Sequence, residues 1–102
     1  MQNTRYHLMA IGGTGMSALA ELLHAGGAHV SGCDLNVTGE AVQHLRSLGV
    51  EVYQGHDPAH VAAADVLVVS SAIASDNPER QEAVRRSIGV RHRAEVLAEM
   101  QA

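Results

Sequence analysis

A glycine-rich turn between an apolar run and a helical pattern constrains the fold of this chain more than any other feature. The run at residues 7–11 is nearly continuous and apolar, as in a strand buried on both faces. It stops at Gly12-Gly13-Thr14-Gly15. Apolar residues then recur at helical spacing up to Gly26-Gly27, namely Met16, Leu19, Ala20 and Leu23. The order strand, glycine turn, helix predicts the first unit of an α/β domain.

The same alternation continues to the end of the chain. Further strands are predicted at residues 28–33, 50–53, 65–70 and 90–92, with the β-branched run 65–70 at the sheet centre and 90–92 at an edge. Between them we expect helices, of which the one at 58–64 is short. This order predicts a Rossmann-like open parallel sheet of about five strands with helices on both faces, in which ligands bind at the carboxyl ends of the strands.

Capping residues and apolar spacing refine the later helices. Thr38 is expected to cap the second helix, which would place Ala41, Leu45 and Leu48 on one face and end at Gly49. Asn77-Pro78 predicts the start of the next helix and Gly89 its end. The last helix, at residues 94–100, is apolar at positions 94, 97 and 98.

The glycine turn is suited to binding a diphosphate. Glycines let a ligand approach the backbone, and the free N–H groups of a first helical turn attract anions. Upstream of Asp34 the only arginine is Arg5, so the backbone is expected to hold the phosphates. Asp34, at the end of the second strand, lies where the hydroxyl groups of a nucleotide sugar would be, although it could merely cap the following turn.

Composition excludes several other functions. All 7 basic residues are arginine, so the chain has no Schiff-base lysine and no P-loop lysine for an ATP site of its own. A net charge of -4 and the absence of Phe and Trp argue against nucleic-acid binding. No apolar run is long enough for a membrane helix. A single cysteine and no signal-peptide pattern make the cytoplasm the default compartment.

Metal binding and cysteine chemistry are not expected from the sequence. His56 and His60 have the spacing of a zinc-binding pair, but Pro58 lies between them and no third ligand is evident, so no metal site is predicted. Cys33 is expected to fill space at a strand end. Three arginines of the fourth predicted helix, Arg80, Arg85 and Arg86, are expected to face solvent, with contact to another domain as an alternative.

Six segments of the sequence form a distinctive series along the chain. The first is Ile11-Gly12-Gly13-x-Gly15-Met16-Ser17. The others are the stretches S-G-C-D-L at 31–35, G-H-D at 55–57, V-S-S-A-I at 69–73, D-N-P-E at 76–79 and R-A-E-x-L-A-E-M at 93–100. In this order the segments resemble the Mur ligase family, in particular those members that join L-alanine to UDP-N-acetylmuramate. Ala10 and Cys33 depart from the family pattern, which has a glycine and a small hydroxyl residue there. His92 stands where we expect an arginine and inherits no role.

The resemblance implies that residues 1–102 form the N-terminal UDP-sugar-binding domain of a three-domain ligase of peptidoglycan synthesis. ATP and Mg²⁺ would act in a central domain that follows this one, so this chain alone would bind UDP-N-acetylmuramate without catalysis. No catalytic residue is assigned to it, and its protein partners would be the central and C-terminal domains. The implied site residues are Gly12, Gly13, Thr14, Gly15, Met16 and Ser17 around the diphosphate, Asp34, Leu35 and His56 at the uridine, and Ser70, Ser71 and Ala72 near the diphosphate and sugar.

Three alternatives remain open from the sequence. An NAD-binding regulatory module has the same size, the same fold class and an acid after its second strand. A nicotinamide-dependent oxidoreductase would also need a second domain for its substrate. Within the family, a ligase that acts on recycled peptides would have a similar first domain.

Overall fold

The computed structural model describes residues 3–101, so Met1, Gln2 and Ala102 lie outside the described part. Five strands alternate with helices in an α/β arrangement. The strands are β1 (Arg5–Met9), β2 (His29–Asp34), β3 (Glu51–Gln54), β4 (Val66–Val69) and β5 (Gly89–His92). The helices are α1 (Thr14–Ala25), α2 (Glu40–Ser47), α3 (Pro78–Arg85) and α4 (Arg93–Gln101), with a 3₁₀ helix at Pro58–Val61.

All strand pairs in the sheet are parallel, and the strand order is β3-β2-β1-β4-β5. The order reverses at β1, because the chain moves outward through β2 and β3 and then returns to β4 on the other side of β1. This confirms the Rossmann-like prediction and puts the switch point, where such folds bind ligands, at the carboxyl end of β1. The β-branched strand β4 is interior, but the central strand is β1.

Helices cover both faces of the sheet. On one face, α1, α2 and α4 pack on a core that includes Leu8, Leu45 and Val96. On the other face, the 3₁₀ helix and α3 cover a smaller core that includes Met9, Cys33 and Ala83. Because successive strand residues point to opposite faces, His7 and Met9 lie on the side of α3, and Leu8 lies on the side of α1.

The capping predictions are partly correct. The predicted buried face of α1 is confirmed, and Asn77 accepts hydrogen bonds from Glu79 N and Arg80 N at the start of α3. Gly39, not Thr38, is the N-cap of α2, because Thr38 donates instead to Asn36 Oδ1. The prediction that Gly89 ends α3 is also wrong. That helix ends before Ser87, which takes the left-handed conformation with φ 59.

The apolar faces of two later helices differ from the prediction. In α2, Leu45 is buried as predicted, but Leu48 is 39% exposed and the other buried residue is Val42. In α4 the buried residue is Val96, with Met100 packed against the same core. Among the described residues, no helix has the length and apolar character required to cross a membrane.

Candidate functional site

The predicted site residues lie along one edge of the sheet. Because the strands are parallel, the segments that follow them all emerge at the same edge, in the order His56, Asp34, the glycine turn and Ser70. Gly55 N donates to Asp34 O at 2.9 Å, which holds the end of β3 beside the end of β2. The fold therefore brings together segments that are far apart in sequence.

The glycine turn presents three unpaired N–H groups at its helical end. Gly12 N donates to Asp34 Oδ2 and Gly13 N to Ala10 O, at 2.9 and 3.0 Å. The other three N–H groups belong to Thr14, Gly15 and Met16, in the first turn of α1. Within the described residues, these groups have no protein acceptor. A helix start with free donors is a binding site for an anion such as a phosphate.

The glycines of the turn leave space for neighbouring atoms, and the residue of this turn that has a positive φ is an alanine. Gly12, Gly13 and Gly15 do not have positive φ, but Ala10 has φ 53. A β-carbon on Gly12 would lie 2.9 Å from Asp34 Oδ2 and 3.1 Å from Val42. Glycine at position 12 therefore permits the contact between the turn and the second strand.

Asp34 fixes the local structure as well as facing the site. One carboxylate oxygen accepts from Gly12 N, and the other accepts from Asn36 N at 3.1 Å. The alternative that Asp34 caps the following turn is thus correct, because its carboxylate accepts the hydrogen bond from Asn36 N. Its carboxylate also lines an open cleft of about 420 Å³ together with the glycine turn and the start of α2. Leu35, beside this carboxylate, is 70% exposed.

Sequence reasoning missed a cation in this site. The guanidinium of Arg93, at the start of α4, lies over the Cα of Gly15, so a β-carbon at residue 15 would overlap it. A positive charge therefore lies beside the free N–H groups, where the sequence had indicated no nearby cation. Arg93 follows the end of β5, and the parallel order of the sheet was the signal that could have placed it at this edge.

The segment after β4 lies at the same edge, on the other side of the glycine turn. Ser71 and Ala72 are exposed, and Ala72 N donates to Ser70 Oγ at 3.4 Å. The structure therefore leaves the Ser71 hydroxyl and the surface of this turn accessible to a ligand.

His56 lies at the edge of the sheet but is partly engaged by buried groups. Its Nδ1 is 3.8 Å from Cys33 Sγ and 3.4 Å from Glu79 Oε1. Cys33 Sγ donates to the same oxygen at 2.8 Å, so Cys33 does more than fill space. Burial, together with the hydrogen bond to the Glu79 carboxylate, raises the pKa of the Cys33 thiol.

Glu79 is the buried acid at the centre of this second cluster. Burial alone would raise the pKa of its carboxyl, but interactions with His7, Cys33 and His60 outweigh burial and lower the pKa to about 2. His60 Nδ1 is 2.5 Å from Oε2, whereas His7 Nε2 is 3.5 Å away and makes no hydrogen bond to any described residue. Glu79 is therefore held as a carboxylate on the α3 side of the sheet.

A second cleft, of about 390 Å³, opens toward the amino ends of the strands. Its lining includes Arg5, His29 and Glu51. None of its lining residues begins an α-helix, so the free N–H groups of a helix start are found at the carboxyl edge, beside a cleft of similar volume.

Comparison with protein families and curated proteins gives a consistent result. The family model described as "Mur ligase family, catalytic domain" matches residues 5–102. UDP-N-acetylmuramate--L-alanine ligase of Syntrophus aciditrophicus is 50% identical over 94 residues, which are 92% of this chain and 19% of that protein. The protein of the same name from Halorhodospira halophila is 48% identical, over 94% of this chain and 20% of its own length. The chain therefore spans about a fifth of the length of these curated relatives.

Solved structures agree with these relatives. UDP-N-acetylmuramate-alanine ligase of Thermotoga maritima superposes with a TM-score of 0.90 at 26% identity, over 97% of this chain and 23% of that one. A murein peptide ligase of Psychrobacter arcticus has a TM-score of 0.89 at 28% identity, over 95% of this chain and 20% of that one. A transcriptional regulator, NmrA, in complex with NADP has a TM-score of 0.72 at 15% identity, which shows a shared fold alone.

Proposed function

Because this chain belongs to the Mur ligase family, we propose that it is the N-terminal UDP-sugar-binding domain of a UDP-N-acetylmuramate:L-alanine ligase of peptidoglycan synthesis. The observation that carries the proposal is the free helix start at Thr14–Met16 beside the Arg93 guanidinium, next to a cleft that Asp34 lines. The whole enzyme would join L-alanine to the lactyl carboxylate in the cytoplasm. The curated relatives of about 50% identity carry that ligase name, which supports this member of the family over the murein peptide ligases.

In this proposal the diphosphate binds the first turn of α1. The N–H groups of Thr14, Gly15 and Met16 donate to its oxygens, and Arg93 adds a charge-assisted bond. Gly12 and Gly13 let the ligand approach, although their own N–H groups are already paired. Ser17 completes this turn, and its hydroxyl donates to Thr14 O at 3.2 Å.

The nucleoside would extend from the diphosphate toward β2 and β3. Asp34 faces the ribose hydroxyls, since its carboxylate has lone pairs beyond the two used by Gly12 and Asn36. The exposed Leu35 side chain would cover the uracil ring, and His56 would lie beside it. On the other side, Ser70, Ser71 and Ala72 would contact the diphosphate and the sugar.

The residues of this chain do not fit an ATP site. A Walker-type site needs a lysine at the phosphates, and the chain contains none. The helix start at residues 14–16 would be occupied by the UDP-sugar. We propose that ATP and Mg²⁺ bind the central domain of the longer enzyme, where the carboxylate is phosphorylated and the amine of L-alanine attacks the acyl phosphate.

Calorimetric titration of the chain with UDP-N-acetylmuramate, UDP and NAD tests the proposal. We expect UDP-N-acetylmuramate and UDP to bind and to raise the unfolding temperature, and NAD to bind more weakly. Tighter binding of NAD than of UDP would replace the proposal with a dinucleotide-binding module. If neither UDP nor UDP-N-acetylmuramate binds to the folded chain, the proposed site is wrong.

A glycine variant locates the binding to the turn. Gly15→Val places branched carbons where the Arg93 guanidinium lies, so it should both block the diphosphate and displace the cation. Gly89→Val is the matched control, because Gly89 lies at the amino end of β5, away from the turn, and the nearest atom to a β-carbon there is Asp65 O at 3.9 Å. If the Gly15→Val variant folds and binds UDP with unchanged affinity, the turn is not part of the binding site.

A further inference from the structure

Four metal-ligand side chains meet on the α3 side of the sheet, outside the proposed nucleotide site. They are His7 on β1, Cys33 on β2, His60 in the 3₁₀ helix and Glu79 in α3, and one ligand atom from each lies within 4.8 Å of the others. The side chains of His7 and Glu79 are fully buried, and that of His60 is 15% exposed. The sequence showed only the pair His56 and His60, because the other members come from separate strands and a helix.

We propose that these four side chains form a binding site for a divalent transition metal, with Zn²⁺ as the best fit. Two imidazoles, a thiolate and a carboxylate are ligands that zinc accepts. Four protein ligands leave no open position for substrate, so the role is structural. The ion would join the 3₁₀ helix and α3 to β1 and β2.

His7 supplies the observation that points to a cation. Its Nδ1 is bonded to Ser31 Oγ at 2.8 Å, which orients the ring and aims Nε2 at Glu79. Nε2 is buried and has no hydrogen-bond partner among residues 3–101. In the metal-bound state the ring proton would lie on Nδ1 and be donated to Ser31 Oγ, so that Nε2 presents a lone pair to the ion, as in metal-binding histidines whose second nitrogen is held by an outer partner.

The distances suit coordination after small side-chain rotations. Tetrahedral zinc with bonds of about 2.0–2.3 Å separates its ligand atoms by about 3.3–3.8 Å. In this cluster, Cys33 Sγ is 2.8 Å from Glu79 Oε1, His60 Nδ1 is 2.5 Å from Oε2, and His7 Nε2 is 3.5 Å from Oε2. The His7–Glu79 separation lies within the required range and the other two are shorter, so Cys33 and His60 would move away from the Glu79 carboxylate when the ion binds.

Charge also favours a divalent ion. On binding, the Cys33 thiol would lose its proton to solvent and the hydrogen bonds to Glu79 would be replaced by bonds to the metal. The thiolate and the carboxylate then neutralise the ion, with the two imidazoles neutral. His60, the most exposed of the four, gives the ion a route from solvent.

Titration of the chelator-treated chain with Zn²⁺ and Co²⁺ tests the site. We expect one ion per chain, a higher unfolding temperature in Zn²⁺, and for Co²⁺ a thiolate charge-transfer band with tetrahedral d–d bands. His60→Gln, at a partly exposed position, should weaken Zn²⁺ binding at least about 100-fold, and Ser31→Ala about tenfold, since loss of an outer partner costs about 10–100-fold. Cys33→Ser should abolish the charge-transfer band.

The control is His44→Gln, because the His44 side chain is 54% exposed and is bonded to Glu21, which lies outside this cluster. It should bind Zn²⁺ as the unmodified chain does. Equal Zn²⁺ affinity in His60→Gln and His44→Gln would overturn the proposal, as would a Co²⁺ spectrum without a thiolate band. If Cys33→Ser does not fold, the His60→Gln comparison decides alone.

Discussion

The guanidinium of Arg93 lies over the Cα of Gly15, across the contact between α4 and α1. Two physical reasons therefore explain why residue 15 is a glycine. The missing side chain opens the backbone N–H groups to a ligand, and it leaves room for a cation from the far end of the chain. A small residue and a remote charge thus meet beside free backbone donors, an arrangement that an isolated glycine motif would not reveal.

Arg93→Ala should weaken UDP binding by about tenfold or more, because a charge-assisted bond contributes about 1.5–3 kcal/mol. Binding of uridine, which has no phosphate, should not change. Calorimetry with both ligands measures the difference. Arg85→Ala is the matched control, since Arg85 is the last residue of α3 and its side chain is 68% exposed. An equal loss for uridine and UDP would mean that Arg93 only positions the turn.

Asp34→Ala should lower both stability and nucleoside affinity. The change leaves Gly12 N–H and Asn36 N–H without their acceptor, and an unpaired, partly buried donor costs about 1–3 kcal/mol. Asp34→Asn keeps one accepting oxygen, so its loss in the free energy of unfolding should be smaller. Urea denaturation and uridine titration of both variants measure the two effects. Unchanged stability in Asp34→Ala would contradict the bridging role of the carboxylate.

Local signals predicted most of the fold. The apolar spacing of α1 correctly gave its buried face, because Met16, Leu19, Ala20 and Leu23 all meet one core. The same method failed for α4, where packing against the sheet buries Val96 and leaves Ala94 and Ala98 exposed. A short helix has several candidate faces, and the sheet it packs on decides among them.

The candidate site was only partly accessible to sequence reasoning. Asp34 and the glycine turn are close in sequence and share a motif, so they could be found together. Arg93 and Glu79 reach their partners through strand order and helix packing, and no spacing rule connects His7 with Glu79. Ala10 stands where the family pattern has a glycine, and its φ of 53 is a conformation that glycine adopts more easily than alanine.

Glu82 should make the stability of α3 depend on pH in the acid range. Hydrogen bonds from Arg85 and then Arg86 hold the pKa of Glu82 at about 2, below its ordinary value of 4.5. A lowered pKa means that the ion pairs stabilise the fold fully above pH 4.5 and lose their effect as the pH falls toward 2. Glu82→Gln should therefore lower the urea midpoint at pH 7, with a smaller difference at about pH 3.

The control for this pH effect is Asp76→Asn, an exposed position whose side chain makes no hydrogen bond or ion pair within residues 3–101. Its urea midpoint should follow that of the unmodified chain at both pH values. A Glu82→Gln difference that stays constant between pH 7 and pH 3 would show that the ion pairs do not contribute through the carboxylate charge.

Ala10→Gly should stabilise the chain, unlike most alanine-to-glycine changes. Ala10 has φ 53, and the left-handed conformation costs a residue with a β-carbon about 1–2 kcal/mol. Glycine removes that strain but adds about 0.4–1 kcal/mol of backbone freedom to the unfolded chain. The expected net gain in the free energy of unfolding is therefore up to about 1.6 kcal/mol, measured by urea denaturation.

Ala62→Gly provides the comparison, because Ala62 is exposed with φ -57, a conformation that alanine adopts without strain. At this position glycine gives the unfolded chain more conformational freedom but relieves no strain in the folded chain. The variant should therefore be less stable than the unmodified chain. Destabilisation of both variants by a similar amount would contradict the strain at Ala10. Opposite signs would establish that the turn before the helix is held against the preference of its own residue, by the bonds from Gly13 N to Ala10 O and from Ile11 N to Cys33 O.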